Sequence, residues 1–407
     1  MRYIDKIGRR KNFIAPYFKD EDINWCSVPV PSERSHIGGS GYDIDVSVIA
    51  KYGQSQTHPS IGYIEEGFGG HKYWMATTPY PHANPIYENA CIYYGDEDEN
   101  GNPPSVFYPI SGGVANSTYP MVNNPIIKLE RNEPAINSDA ELWYDKNRGK
   151  LCLITRTNEF RHAYLYQESD NGLRWTKRKA PVNAALQDYL YASPSSINND
   201  LKNYILCDDD ADGVKGELVS PSVILNDDGS VELFGLRGNR GGSYEDNSLF
   251  GGMWVYNGNP SGGYGSMKKS IHASLLGYLH ITPWHMDIEK HNNKYYMVFC
   301  GSDLQALNYH SNDAAIRDNL YLAVSNDGFD FRVFPTPLLN IGGQYRPSLM
   351  FKGGDIVIYG SCYNSPKTAS SYPNGDSDVP VDGRAIYWVR ANINSLVSYL
   401  DVNNKLY

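Results

Sequence analysis

Five times along this chain the same short pattern recurs, and a repeat of that kind constrains the fold more than any single motif. The segments start at His58 (HPSIGYI), Asp139 (DAELWYD), Ser220 (SPSVILN), His285 (HMDIEKH) and Arg346 (RPSLMFK). Each opens on a polar residue. Two positions on stand Ser60, Glu141, Ser222, Asp287 and Ser348, each followed by an aliphatic residue. The openings are 81, 81, 65 and 61 residues apart. Behind each comes a turn (EEGFGGH, DKNRG, NDDGS, HNN, KGGD), then a second strand such as KYWMATT or DIVIYGS, then a third such as ACIYYGD or LYLAVSN. Asp-Gly, Asn-Asn and Gly-Gly are hairpin signals, and the runs between them are β-branched and aromatic.

A unit of three or four strands cannot bury both faces alone, so such units stack radially and leave only short edges. The pattern therefore predicts an all-β chain, a five-bladed β-propeller over residues 46–400. Residues 1–45 read as an N-terminal arm and linker, and 401–407 as a C-terminal tail. No long helix is expected. The first strand of each unit is the innermost, so the aligned polar residues converge on a central channel.

Composition narrows the function classes. Of 407 residues 41% are hydrophobic and 20% charged, which is globular. The net charge of −10 argues against a nucleic-acid binder. No run of 18 apolar residues is present, so membrane insertion is not expected, and the N-terminus lacks the apolar stretch of a secretory signal. The six cysteines are widely spaced without a CxxC, and read as buried free thiols.

Two sets of side chains face the predicted channel: His58, Asp139, Ser220, His285 and Arg346, and then Ser60, Glu141, Ser222, Asp287 and Ser348. One reading is structural, with the blades tied together across the axis, since buried polar groups need partners. The other is a glycosidase, which needs two carboxylates; Asp139, Glu141 and Asp287 are the candidates. His285, beside Trp284, is a candidate base or ligand. The two histidines with Asp139 and Asp287 carry donor atoms for a divalent cation, but no short ligand spacing supports one, so no metal or other cofactor is assigned. Arg156 and Arg237 read as structural. A loop over 78–89 carries Tyr80, Tyr87 and Glu88, which suit stacking on a sugar ring and bonding to its hydroxyls, or else the two tyrosines cover the channel mouth or pack between blades. The polar stretches 235–248 and 364–383 are long enough to be functional loops.

The segments GGHKYWMATTPYP, YENACIYYG, PWHMD and YRPSLMF resemble a group of five-bladed propellers from bacteriophage tails, the staphylococcal receptor-binding type. The same blade grammar is distantly similar to glycosidases of the arabinanase and invertase type. ESDNGLRW (from Glu168) and SNDGFDF (from Ser325) resemble the Asp-box turn of sialidase and glycosidase propellers. The phage resemblance implies a tail protein in the virion, made in the host cytoplasm. It would bind host cell-wall or capsular glycan through His58, Tyr80, Tyr87, Glu88, Ser220, Trp284, His285 and Arg346. It would dock to other tail proteins through a basic N-terminal arm, and a homo-oligomer is compatible with it. This is the leading expectation, with the chain more a binder than an enzyme. A polysaccharide depolymerase and a structural adaptor are the alternatives. The arabinanase-type resemblance asks for an Asp in the first blade and a Glu in the third, where this chain has His58 and Ser220.

Overall fold

The repeated strands fold as their patterning dictates. The computed structural model describes residues 3–4, 10–11, 15–28, 56–79, 90–110, 137–157, 163–173, 175–177, 204–206, 217–228, 231–238, 254–255, 258–259, 263–264, 268–269, 281–303, 319–328, 330–341, 344–362 and 385–404. Among them, five antiparallel sheets of four or five strands form the blades of a β-propeller. A short strand β1 (Asn24–Trp25) precedes them.

The first blade is β2 (Gln56–Phe68), β3 (His71–Pro79), β4 (Cys91–Gly95) and β5 (Tyr108–Pro109). The second is β6 (Asn137–Asp145), β7 (Lys150–Thr157), β8 (Ala163–Ser169) and β9 (Thr176–Lys177), with β10 (Tyr204–Leu206) also on β8. The third is β11 (Glu217–Leu225), β12 (Val231–Gly238), β13 (Trp254–Val255) and β14 (Lys268–Lys269). The fourth is β15 (Ile281–His291), β16 (Lys294–Asp303), β17 (Asn319–Ser325) and β18 (Arg332–Val333), with β19 (Leu339–Asn340) also on β17. The fifth is β20 (Ser348–Lys352), β21 (Asp355–Cys362) and β22 (Ala385–Asn392).

The innermost strands β2, β6, β11, β15 and β20 touch one another in a closed ring. Apolar layers fill the gaps between blades. Trp74, Ile92, Leu142 and Leu153 lie between the first two, and Phe234, Met286, Met297 and Phe299 between the third and fourth. The five described cysteines, Cys26, Cys91, Cys152, Cys300 and Cys362, are buried free thiols as expected; Cys207 lies outside the described residues.

Two features were not read from the repeat. The fifth blade takes its fourth strand from the N-terminal segment: β1 pairs with β22 through Trp25↔Tyr387 and Asn24↔Trp388. Phe18, Cys26 and Val28 are buried with it. Residues 15–28 of the expected arm are thus built into the propeller. Second, a helix, α1 (Ile393–Asn404), follows β22 where strand and tail were expected. Asn392 caps it, its Oδ1 accepting from Ser395 N at 3.2 Å. Ile393, Leu396 and Leu400 recur at helical spacing and are buried against the fifth blade.

Candidate functional site

The channel is built from one local irregularity used repeatedly. In β2, β6 and β11 the pairing register shifts across His58–Pro59, Asp139–Ala140 and Ser220–Pro221, so two inner residues oppose one outer residue. His58, Asp139 and Ser220 take φ values of 51°, 50° and 51°. This left-handed region is uncommon for residues other than glycine, and a bulge there re-aims the side chain. In β15 the shift falls at Trp284, just before His285. The bulges interrupt strand alternation, so the two aligned sets form two levels with different partners.

The inner level closes the ring. An innermost strand has no neighbour on its inner edge, and its N–H groups need acceptors there. Side chains of the preceding blade supply them. Leu142 N donates to Ser60 Oγ at 2.8 Å, Val223 N to Glu141 Oε1 at 3.0 Å, and Ile288 N to Ser222 Oγ at 2.9 Å. Leu349 N donates to Asp287 Oδ2 at 2.8 Å and Ile61 N to Ser348 Oγ at 3.0 Å. Hydroxyl donors complete the girdle: Ser60 to Glu141 at 2.9 Å, Ser222 to Asp287 at 2.8 Å and Ser348 to Asp287 at 2.9 Å. Arg346, fully buried, reaches across the axis, and its Nη2 donates to Glu141 Oε2 at 2.5 Å and to the Pro221 carbonyl at 2.6 Å. Burial, then the charge of Asp287, pushes Glu141 up to about 7 against the pull of Arg346. Glu289, on the same strand as Asp287, is raised well above the carboxylate range by burial and by its two acidic neighbours.

The outer level gathers His58, Asp139 and His285. One donor atom of each lies within 4.8 Å of the others, and all three residues are buried. His58 Nδ1 is 2.9 Å from Thr78 Oγ1 and 3.4 Å from Asp139 Oδ1. His285 Nδ1 is 2.6 Å from Ser220 Oγ and 3.8 Å from Asp139 Oδ1. Thr78 and Ser220 thereby orient the two rings. Arg156 Nε stands 3.2 Å from the other carboxylate oxygen, Oδ2, and its guanidinium also donates to Ser138 Oγ. Burial alone would raise Asp139. Arg156, then His58, His285 and Arg346, outweigh it and hold the carboxyl well below its usual range. Tyr345 covers the cluster, with ring centroids 5.6 Å from His58 and 6.1 Å from His285.

Of the anticipated site residues, His58, Asp139, Ser220 and His285 come together. Arg346, Glu141 and Asp287 meet below them. Trp284 is in β15, but its side chain is outside the described part. Tyr80, Tyr87, Glu88 and the stretch 364–383 lie outside the described residues, as do residues 239–248 and the side chain of Arg237. Tyr345 and Thr78 were missed; their signal was adjacency to Arg346 and the pairing of β3 with β2. Arg156, read as structural, meets Asp139. Two imidazoles and a carboxylate, with Asp139 Oδ1 buried and accepting no hydrogen bond, are a donor set that fits a divalent cation.

The fold and this axial cluster define a β-propeller with a buried polar centre. No family model and no curated protein sequence matches the chain. Among solved structures, an N-acetylgalactosamine deacetylase from F. plautii, in complex with blood group B trisaccharide, superposes with a TM-score of 0.57 at 15% identity, over 93% of this chain and 98% of that one. A family-43 arabinoxylan arabinofuranohydrolase from Bacillus subtilis gives 0.47 at 12% identity, over 82% and 63% of the two chains. A family-43 enzyme from Xanthomonas citri gives 0.45 at 10%, over 83% and 88%. The expectation of a phage tail receptor-binding protein is corrected: the propeller that superposes at 0.57 is a sugar deacetylase, and at 15% identity the likeness is one of fold.

Proposed function

We propose that the chain is a glycan-processing hydrolase whose reaction centre is the axial cluster of His58, Asp139 and His285. The observation that carries this is their convergence within 4.8 Å, from strands of three different blades, on a backbone bent for the purpose at two of them. Strained backbone of this sort concentrates at functional sites.

The three residues would hold a divalent cation, which supplies Lewis acidity toward a carbonyl or a water molecule. The remaining work belongs to the chain. Arg156 keeps Asp139 ionised, Ser220 and Thr78 fix the imidazoles, and Tyr345 limits access of bulk water.

The bond we favour is an acyl amide or ester on a sugar. Glycosidic cleavage by two carboxylates needs both facing one sugar, and Glu141 and Asp287 are committed to ring closure. The fold likeness to a sugar deacetylase suggests the first substrate to try. A glycoside hydrolase, the depolymerase alternative, is the second reading, favoured by one observation: Glu141 is pushed up to about 7, as a general acid requires.

The test is incubation of purified protein with N-acetylated and with unsubstituted glycans, following released acetate and reducing ends together. Acetate release that chelation abolishes, zinc or manganese restores, and Asp139→Asn lowers by at least 100-fold, about 2.7 kcal/mol in barrier, is the expected result. Reducing ends without acetate would turn the assignment to the glycosidase. Neither product would refute a hydrolase.

A further inference from the structure

Far out from the axis, a cleft of about 560 Å³ opens where the first and fifth blades meet. Its walls include Asn24 of β1, Asp96, Asp98 and Asn102 from the β4–β5 connection, Tyr108 of the outermost strand β5, and Trp388 of β22. Tyr108 is 54% exposed, in a molecule whose other described aromatics are mostly buried. Trp388 is nearly buried and donates through Nε1 to Ser105 Oγ at 3.0 Å.

The polar walls are held in place before any ligand arrives. Asp98 Oδ1 accepts from Asn100 N and Asn102 N, and its Oδ2 from Asn102 Nδ2 at 2.9 Å. Asp96 Oδ2 is 2.7 Å from His71 Nδ1, and His71 stacks on Tyr94 at 3.9 Å. Tyr94 in turn lies 5.8 Å from Tyr108. Across the seam, Ser27 N donates to the Ser105 carbonyl and Phe107 N to the Ser27 carbonyl. Among the described residues no lysine or arginine lines the cleft; Lys352 stands behind the β4–β5 connection, its Nζ donating to the Gly101 carbonyl at 2.6 Å.

An exposed aromatic face beside fixed carboxylates and amides is the chemistry that recognises a sugar: the ring covers C–H groups, and the acceptors and amides take hydroxyls. Rigid walls reduce the ordering cost of binding. The two carboxylates select against acidic polymers.

We propose that this cleft is a second glycan-binding site, for uncharged sugar residues, separate from the axial cluster. It would hold polymer at the rim while the reaction centre works at the axis. The proposal rests on the glycan reading of the axial site only for the choice of ligand class.

The test is affinity electrophoresis of the full chain through gels containing neutral galactan or, as the acidic control, polygalacturonate. Both the parent protein and Asp139→Asn should be retarded by galactan and not by polygalacturonate. Tyr108→Ala should weaken the galactan association about tenfold, whereas Tyr108→Phe, which keeps the ring, should not. Unchanged retardation in Tyr108→Ala, equal retardation in both gels, or none in galactan would overturn the proposal. Because binding is read in the Asp139→Asn background, a chain that binds without releasing product would leave this cleft standing while the hydrolase reading falls.

Discussion

Glu141 and Asp139 stand two positions apart on one strand, yet their surroundings push them in opposite directions. Folding keeps a proton on Glu141 that the unfolded chain releases near its ordinary value of 4.5 and the native chain only at about 7. Between those pH values the native state binds more protons than the unfolded one, so stability falls as pH rises. Asp139 works the other way. Its depressed carboxyl contributes stability that is present above pH 4 or so and is lost as pH falls through the native value. Urea unfolding at pH 5 and pH 8 should therefore show the parent protein weaker at pH 8, and Glu141→Gln should show a smaller loss, the remainder belonging to Glu289, whose carboxyl burial also raises. Equal stability of the parent at both pH values would show that Arg346, facing Glu141, keeps it charged. The repeat was enough to pick out these positions. It could not reveal the left-handed backbone beneath His58, Asp139 and Ser220, because no glycine marks it. Nor could it show that Glu141 and Asp287 serve closure, since a carboxylate reads alike in either role.

The turns carry the clearest agreement between sequence and structure at the level of the element. In SNDGFDF, Ser325 Oγ accepts from Asp327 N and Gly328 N, and Phe331 is buried between blades. In ESDNGLRW, Asn171 Oδ1 accepts from Leu173 N, and Trp175 Nε1 donates to the Gly172 carbonyl. Both glycines have left-handed φ, 74° at Gly172 and 76° at Gly328, but they tolerate a side chain differently. A Cβ at Gly172 would come within 2.4 Å of the Trp74 ring, which packs in the first blade's core; at Gly328 it would come within 3.1 Å of Tyr295. Both substitutions to alanine should destabilise through backbone strain of about 1–2 kcal/mol. Gly172→Ala should cost roughly 1–3 kcal/mol more through overpacking. Thermal unfolding of the two variants checks this, and an equal loss in both would remove the role given to Trp74. Helix α1 escaped the sequence reading because its apolar stripe, Ile393, Leu396 and Leu400, directly continues a strand; Asn392 was the one local sign of the change.

The molecule as a whole depends on where its ends meet. The fifth repeat has only three strands of its own, and the missing fourth was in principle legible as a deficit. Its donor, NWCSV, was not, since it carries no repeat signature and lies more than 300 residues upstream of its partner. Once in place, β1 joins the last blade to the first, through Cys26 N to the Ile386 carbonyl on one side and Ser27 with Ser105 and Phe107 on the other. Phe18, Cys26 and Val28 are each no more than 2% exposed. Burying three such side chains contributes about 5 kcal/mol, comparable with the whole net stability of many domains. A chain lacking residues 1–28 should therefore lose cooperative unfolding at room temperature, with near-ultraviolet circular dichroism reporting the loss of packed aromatics. A peptide of residues 15–28 added in excess should bind and restore it, because it supplies the strand and the three apolar anchors together. The same dependence bears on function. The rim cleft takes Asn24 from β1 and Asp96, Asp98 and Tyr108 from the first blade, so truncation should abolish galactan retardation along with the fold, and peptide should return both at one concentration. A truncated chain that keeps the parent melting temperature would sink this account of closure, and with it the claim that the cleft is a product of the seam.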